Sequence, residues 1–386
     1  MDNHSLKCIR KAGINPGMKS EKPDILNKRY AQIRQDAKKR RVGNGTGSIP
    51  VILIGMATCG IAAGALDTKK AFEESLTDRK LEARIVSAGC IGHCYAEPIA
   101  IVKKSDSPPR IYQKVTPGIA RMIVKYDLQY DRPLLDHILD ITQKRLPSDA
   151  WKSPQDQQNR RVLALSGTID PGNIDDYISC GGYAGLARAL AIQPEEIIRD
   201  ITRAGLRGRG GAGFSTGLKW AFARTVSGTK KYVICNADEG DPGTYMDRTI
   251  LESNPHQILE GLAICCFAVG AQQGVVYLRA EYPLAVDILS KAIEQATHLG
   301  LLGNAILGSS FNLEVEIFQG SGAFVCGEET ALIRSMEGKR GMPEFRPPFP
   351  VESGFMNQST VINNVKTLAT IPSIIQNGTA WYRSIG

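Results

Sequence analysis

Tyr232-Val-Ile-Cys-Asn236-Ala-Asp238-Glu239-Gly-Asp241-Pro242-Gly243 sets a short apolar run directly before three carboxylates in four residues. A run of that length, closed by Asp-Pro-Gly turn chemistry, predicts a buried strand over 232–236. Open α/β sheets place ligand-binding groups just beyond the carboxyl ends of their strands. Crowded carboxylates are costly unless water, a cation or hydroxyl donors surround them. A solvated acidic turn is the bland alternative, and the Asn236 amide behind a buried strand tips the reading to a ligand site.

Working outward, strands and helices alternate. Helical spacing covers 183–191, 194–204, 218–225, 255–269 and 283–299, 274–279 reads as another strand, and 313–318 is a further apolar run. This order predicts an α/β layer architecture. Gly205 stands where a helix C-cap belongs. After it, Gly208, Gly210, Gly211 and Gly213 form a loop that lets backbone N–H groups approach phosphates or a flat ring, with Arg207, Arg209 and Lys219 adding positive charge. Although G-x-G-x-x-G is satisfied, the loop follows a helix instead of a strand, and no Gly-Lys-Ser/Thr closes it as in a P-loop. Three more stretches keep it company. Gly320-Ser-Gly-Ala-Phe324-Val-Cys326-Gly327-Glu328-Glu329 ends an apolar run, Arg346-Pro-Pro-Phe349-Pro350 is stiff, and Ile362-Asn363-Asn364-Val-Lys366-Thr367 offers amides ahead of a helix. Asn364 reads equally as a helix N-cap.

At 386 residues the chain suggests two or three folded units. With 42% hydrophobic and 22% charged residues it has a globular composition, and no apolar run is long enough to span a bilayer. The polar start, broken by Gly13, Pro16 and Gly17, does not resemble a signal peptide. The charge of +8 draws on Lys38-Lys39-Arg40-Arg41, where no aromatic residues interleave, so a solvated or subunit-docking arm is expected and nucleic acid is not. The expected division is a basic arm over 1–48, a first domain over 49–128, a linker over 129–162 punctuated by Leu146-Pro147 and Ser153-Pro154, and a second domain over 163–386. In the first domain, strand 50–55, helix 63–76, strand 83–86, a strand pair 99–103 and 110–114 around Pro108-Pro109, and a helix near 117–126 follow a thioredoxin-like order. Cys235, Cys265, Cys266 and Cys326 lie in apolar or motif-like stretches and read as reduced thiols, which fits a reducing cytoplasm.

From about residue 165 to 386 the chain closely resembles the NADH-binding flavoprotein subunit of respiratory complex I and its relatives in NAD-linked hydrogenases and formate dehydrogenases. Gly208 to Trp220 reproduces that family's glycine loop, with Ser215 in place of a proline. The resemblance implies a Rossmann-like domain holding FMN through Gly208, Arg209, Gly210, Lys219, Asn236, Asp238, Asn363, Asn364 and Thr367, with Glu239, Phe324, Gly327 and Glu328 lining the same cavity. It further implies that NADH lays its adenine among Phe214, Phe222 and Phe349, while Glu239, Asp241 and Glu329 serve its polar groups. The implied activity is NADH:acceptor oxidoreduction, a diaphorase module in which stacking geometry, not an acid or base, drives hydride transfer. Its implied partners are iron–sulfur subunits of a hydrogenase, formate dehydrogenase or complex I-like assembly, with no direct membrane insertion. Three positions depart from the family: Asp241 and Lys366 each replace a glutamate, and Phe324 replaces a tyrosine.

Cys90-Ile-Gly-His93-Cys94 with Cys59 resembles the thioredoxin-like two-iron ferredoxin domain, whose 2Fe-2S cluster takes four thiolates. Ile54 stands where one of them is usual, and Cys8 substitutes only if the arm folds back. Either a cluster binds at Cys59, Cys90 and Cys94 with a further ligand, or the domain kept its shape and lost its iron. A zinc site using His93 is disfavoured because His93 sits inside the C-x3-C turn. The β-rich and 4Fe-4S domains of relatives are expected to be absent here. That gap leaves a second reading open, a non-catalytic nucleotide-binding scaffold that kept the fold and lost its electron exit. A third reading is a stand-alone flavin reductase.

Overall fold

The computed structural model describes residues 23–43, 49–139, 158–228 and 230–385; Cys8, Leu146-Pro147 and Ser153-Pro154 lie outside them. Helix α1 (Pro23–Gly43) covers the basic stretch. It is not a solvated tail, for Leu26 and Tyr30 are buried and the Tyr30 hydroxyl donates to the Gly182 carbonyl at 2.9 Å. Among the described residues, one compact unit takes in Ala37–Tyr177 with Glu252–Asn254, and the other takes in the rest.

The first unit runs β1 (Val51–Gly55), α2 (Ala65–Arg79), β2 (Arg84–Ala88), β3 (Ala100–Lys104), β4 (Ser107–Tyr112) and α3 (Pro117–Met122). The sheet order is β2-β1-β3-β4, with β2 parallel to β1 and the β3–β4 hairpin antiparallel. This is the thioredoxin-like arrangement: a βαβ crossover, then a hairpin and a helix. Apolar residues on α2 at Ala65, Ala71, Phe72 and Leu76 pack with Ile52, Ile54 and Val102 in one core. Pro108 and Pro109 do not form the hairpin turn, which falls at Ser105-Asp106. They lie within β4, an edge strand, where a residue without an N–H leaves fewer ladder bonds unmade. The described residues from 158 to 177 also belong to this unit, so the other unit's main run begins at Ile178 instead of 163. Arg160 reaches back to donate from Nη1 to the Ile91 carbonyl at 3.0 Å.

The second unit contains α4 (Ala184–Leu190), α5 (Pro194–Ala204), α6 (Thr216–Thr225), β5 (Lys231–Ala237), α7 (Met246–Ser253), α8 (Pro255–Val269), β6 (Gln273–Arg279), α9 (Pro283–His298), β7 (Glu314–Gly320), α10 (Glu329–Met336), β8 (Ser359–Asn364) and α11 (Val365–Asn377). Its sheet, β7-β6-β5-β8, is parallel throughout, so every strand delivers its carboxyl end to one edge. Two elements escape sequence reading. β8 looks like a loop ahead of a helix, and α7 hides behind the Asp-Pro-Gly turn.

Helix α8 is buried along its whole length. Its Glu260 carboxylate accepts from Tyr183 N at 2.8 Å and Leu186 N at 3.0 Å, which satisfies donors at the start of α4. Beside it, a Cβ at Gly261 would lie 2.0 Å from the Leu368 carbonyl oxygen, so α8 and α11 touch backbone to backbone. Gly261→Ala must push α11 outward. We expect a loss of about 2–3 kcal/mol in chemical unfolding, and an unfolding free energy equal to that of the parent would show that the two helices are not held this close.

Candidate functional site

The glycine loop is folded as a small hairpin. Gly208 N donates to the Phe214 carbonyl at 2.8 Å and Thr216 N to the Leu206 carbonyl at 2.9 Å. Gly205 caps α5 in the left-handed region at φ 74°, and Gly211 at φ 110° adopts a conformation that disfavours side chains. Arg209 N donates to Thr367 Oγ1 at 2.9 Å, which ties the loop to the first turn of α11. A Cβ on Gly211 would meet nothing within 4 Å, so the loop presents bare backbone.

Opposite stands the carboxyl edge of the sheet. Asn236 Nδ2 donates to the Gly327 carbonyl at 2.9 Å, joining the end of β5 to the segment after β7. Lys219 Nζ donates to the Ile362 carbonyl at 3.1 Å and lies 3.4 Å from Glu329 Oε2. Asn363 is buried. Gly208, Arg209, Gly210, Lys219, Asn236, Gly327, Glu329, Asn364 and Thr367 are therefore linked by contacts at one edge, since the Gly210 Cβ position falls 3.4 Å from Asn364. Asp238 follows Asn236, whose Oδ1 accepts from Asp238 N at 3.0 Å. Its own Oδ1 is buried without a hydrogen-bond partner and 3.9 Å from Arg279, and burial pushes the carboxyl up to about 6.

Several acids expected to face a ligand are bound within the protein. Glu239 accepts from Asp247 N and Arg248 N and so caps α7, while its carbonyl accepts from Arg279 and Tyr282. Glu328 caps α10 through Thr330 N and Ala331 N and pairs with Arg346. Glu329 pairs with Arg346 at 3.0 Å. Phe324 packs its ring where a side chain on Gly240 would be, 2.7 Å from that Cβ position. Phe214, Phe222 and Phe349 are each about half exposed, and Asp241 sits on the surface with its carbonyl accepting from Thr244.

Asp247 was not anticipated. It is buried at the start of α7, and Asn364 Nδ2 donates to its Oδ2 at 2.6 Å while Lys366 Nζ lies 3.3 Å from Oδ1. Asn364 thus fills two roles, for its Oδ1 also caps α11 by accepting from Lys366 N at 2.9 Å. The sequence signal was an acid in the first turn of a helix, which usually means only a dipole contact. Arg279 was missed too, although a charge ending the apolar run of β6 is the same signal that singled out Asn236.

In the first unit, Cys59, Cys90 and Cys94 come together. Their Sγ atoms all lie within 4.8 Å of one another, with Cys90 and Cys94 3.6 Å apart. Ile54 is buried in the core beside Ile52 and Phe72, and His93 packs edge-on against Tyr95. Glu97, unremarked in the sequence, is buried with Oε1 3.9 Å from Cys59 Sγ and Oε2 accepting from Ile99 N at 2.8 Å. Burial pushes its carboxyl up to about 7. Hydrogen bonding with Cys90, then burial, holds the Cys59 thiol above its ordinary range. All eight cysteines among the described residues are free thiols.

Residues 201–373 match the Nuo51 FMN-binding domain. The chain is 56% identical over 237 residues to the NADP-reducing hydrogenase subunit HndC of Solidesulfovibrio fructosivorans, covering 61% of this chain and 48% of that one. It is 48% identical over 214 residues to an NADH-quinone oxidoreductase subunit of Escherichia coli, covering 55% and 48%. Among solved structures, an NAD+-reducing NiFe hydrogenase in its H2-reduced state superposes with a TM-score of 0.51 at 26% identity, covering 94% of this chain and 62% of that one. The chain spans about half the length of the curated relatives it matches. Among the described residues no helix is long and apolar enough to cross a membrane.

Burial above all, then the nearby Glu239 charge, pushes the Asp247 carboxyl up to about 6, against Lys366 and Asn364, which lower it. The folded protein therefore holds a proton here that the unfolded chain releases near pH 4. Stability is lost as pH rises from about 4 to about 6, because over that interval the folded state binds more protons. Asp247→Asn removes this dependence. Whatever its offset at pH 4, the variant should gain about 2–3 kcal/mol relative to the parent by pH 7 in chemical unfolding, and parallel pH curves would refute the assignment.

Proposed function

We propose, given that residues 201–373 match the Nuo51 FMN-binding domain, that the second unit holds FMN at the carboxyl edge of its sheet and receives NADH there. The observation that carries this is the bond from Arg209 N to Thr367 Oγ1, which sets bare glycine backbone across from Asn236, Asp238 and Asn364. The residues present fit the group. Gly210 and Gly211 leave backbone open to a phosphate, Gly208 N being held by the Phe214 carbonyl, and Arg209 and Lys219 bring positive charge. The Asp238 Oδ1, buried without a hydrogen bond and only 3.9 Å from Arg279, suits a ribityl hydroxyl, since a buried acceptor without a hydrogen-bond donor is costly. Asn236, Asn363 and Asn364 offer amides, with Glu239, Phe324, Gly327 and Glu328 around them.

Bound FMN would supply the redox chemistry, hydride uptake from reduced nicotinamide and one-electron release. The protein's part is placement. Phe214, Phe222 and Phe349 offer half-exposed rings to an adenine. Glu329, held by Lys219 and Arg346, faces the ligand with a fixed carboxylate, and Asp241 lies at the rim. Because Glu239 is tied to α7, its part is to hold that helix and Asp247 in place. No side chain here needs to act as acid, base or nucleophile.

The whole protein is then an NADH:acceptor oxidoreductase module working in the cytoplasm with iron–sulfur subunits of a hydrogenase, formate dehydrogenase or complex I-like assembly. Its relatives bear the names of subunits of such assemblies. The purified chain should show flavin absorption that bleaches on adding NADH under anaerobic conditions, and a colourless protein that takes up no added FMN would sink the proposal. Flavin bands that NADH leaves unchanged would favour a scaffold that kept the nucleotide fold. Thr367→Val removes the acceptor for Arg209 N. We expect FMN affinity to fall roughly tenfold at unchanged melting temperature of the flavin-free protein, measured by fluorescence titration; unaltered affinity would count against the loop contact.

A further inference from the structure

We propose that Cys59, Cys90, Cys94 and Glu97 form a site for one tetrahedral divalent cation of the zinc type, with the Glu97 carboxylate as the fourth ligand.

The spacing of the donors carries this. A single ion with metal–sulfur bonds of about 2.3 Å sets its sulfurs about 3.8 Å apart and a carboxylate oxygen about 3.6 Å from each. Here Cys90 and Cys94 are 3.6 Å apart, all three sulfurs lie within 4.8 Å, and Glu97 Oε1 is 3.9 Å from Cys59. A two-iron cluster divides four thiolates between two metals, which spreads the pairs, and the position of the fourth thiolate is filled by Ile54 inside the core. A single ion requires Glu97 Oε1, which lies 3.9 Å from Cys59, to turn toward Cys90 and Cys94 as well.

The surroundings are built for these ligands. Gly55 makes room for the carboxylate: a Cβ there would lie 2.8 Å from both Glu97 oxygens, whereas one on Gly60 would first meet the Gly55 carbonyl oxygen at 2.1 Å. Ile99 N holds Oε2, which leaves Oε1 toward Cys59. Gly92 N donates to Cys90 Sγ at 3.2 Å, the kind of outer contact that steadies a metal-bound thiolate. Arg160, bonded to the Ile91 carbonyl, brings positive charge to a loop whose site would carry excess negative charge. A buried carboxylate packed beside Cys59, itself one of three gathered thiols, is costly without a cation to share. Three sulfurs and one oxygen, with no open position, suit a closed structural zinc site. Binding releases the thiol and carboxyl protons to solvent and changes no oxidation state.

The test uses the full chain. Expressed with both iron and zinc available, it should carry one zinc per chain and no acid-labile sulfide from this site. After stripping, Co2+ should give thiolate charge-transfer bands and the intense visible bands of a tetrahedral ion, which Zn2+ then removes. Glu97→Gln should weaken Co2+ binding by about 10–100-fold, and Cys90→Ser should weaken it further. Glu97→Cys should bind with the bands shifted to those of four thiolates. Because a variant can misfold, X-ray absorption at the zinc edge of the unaltered chain decides independently: three sulfurs and one oxygen support the site. Two irons with two sulfides bound at these cysteines, a zinc shell without oxygen, or unchanged Co2+ affinity in a folded Glu97→Gln would each overturn it.

Discussion

The second unit depends on how closely two helices approach. Gly261 of α8 rests against the Leu368 carbonyl of α11, and any side chain there would force them apart. α11 starts at the end of β8, so its depth against α8 determines where Asn364, Lys366 and Thr367 stand. Those residues in turn hold the glycine loop and Asp247. A packing constraint far from any ligand thus decides whether the loop faces the sheet edge at all. It also accounts for the number of short links at the site, for each one fixes a loop to an element already held by the core.

Charge is arranged on the same principle. The edge gathers many acids, yet most are neutralised or put to work inside the protein. Glu239 and Glu328 cap helices, Glu329 shares Lys219 and Arg346, and Asp247 shares Lys366 and Asn364. Lys366, which reverses the charge usual in the resembled family, is a partner for a buried carboxylate and not a bare cation at the ligand. Asp238 and Asp247 each keep a buried Oδ1 without a hydrogen-bond partner, beside Arg279 and Lys366 respectively.

The first unit shows the converse pattern. Its sheet keeps the thioredoxin-like order while one expected thiol position has become Ile54, absorbed into the core. Three thiols remain gathered, and a glutamate that carries no recognisable spacing in the sequence lies against one of them, Cys59. The glycine at 55, which in sequence is only one among 39, makes sense as room for that carboxylate.

Much was legible before any coordinates. Periodicity located α5 and α8 to the residue, because a run of apolar positions bounded by Pro and Gly leaves few other solutions. The glycine loop, the acidic strand end and the cysteine group were visible because local residue types carry their chemistry. β8 and α7 were not, since a strand buried by its neighbours and a helix started by another residue's carboxylate have no strong local pattern. Sequence by itself determined the α/β architecture, the resemblance and the segments that would supply the site. Only the tertiary structure decided which groups within those segments remain open to a ligand, and that Asp247, Arg279 and Glu97 belong beside them. The reason is physical: whether a carboxylate is free or already satisfied depends on donors brought from distant parts of the chain, and no spacing along the chain records that.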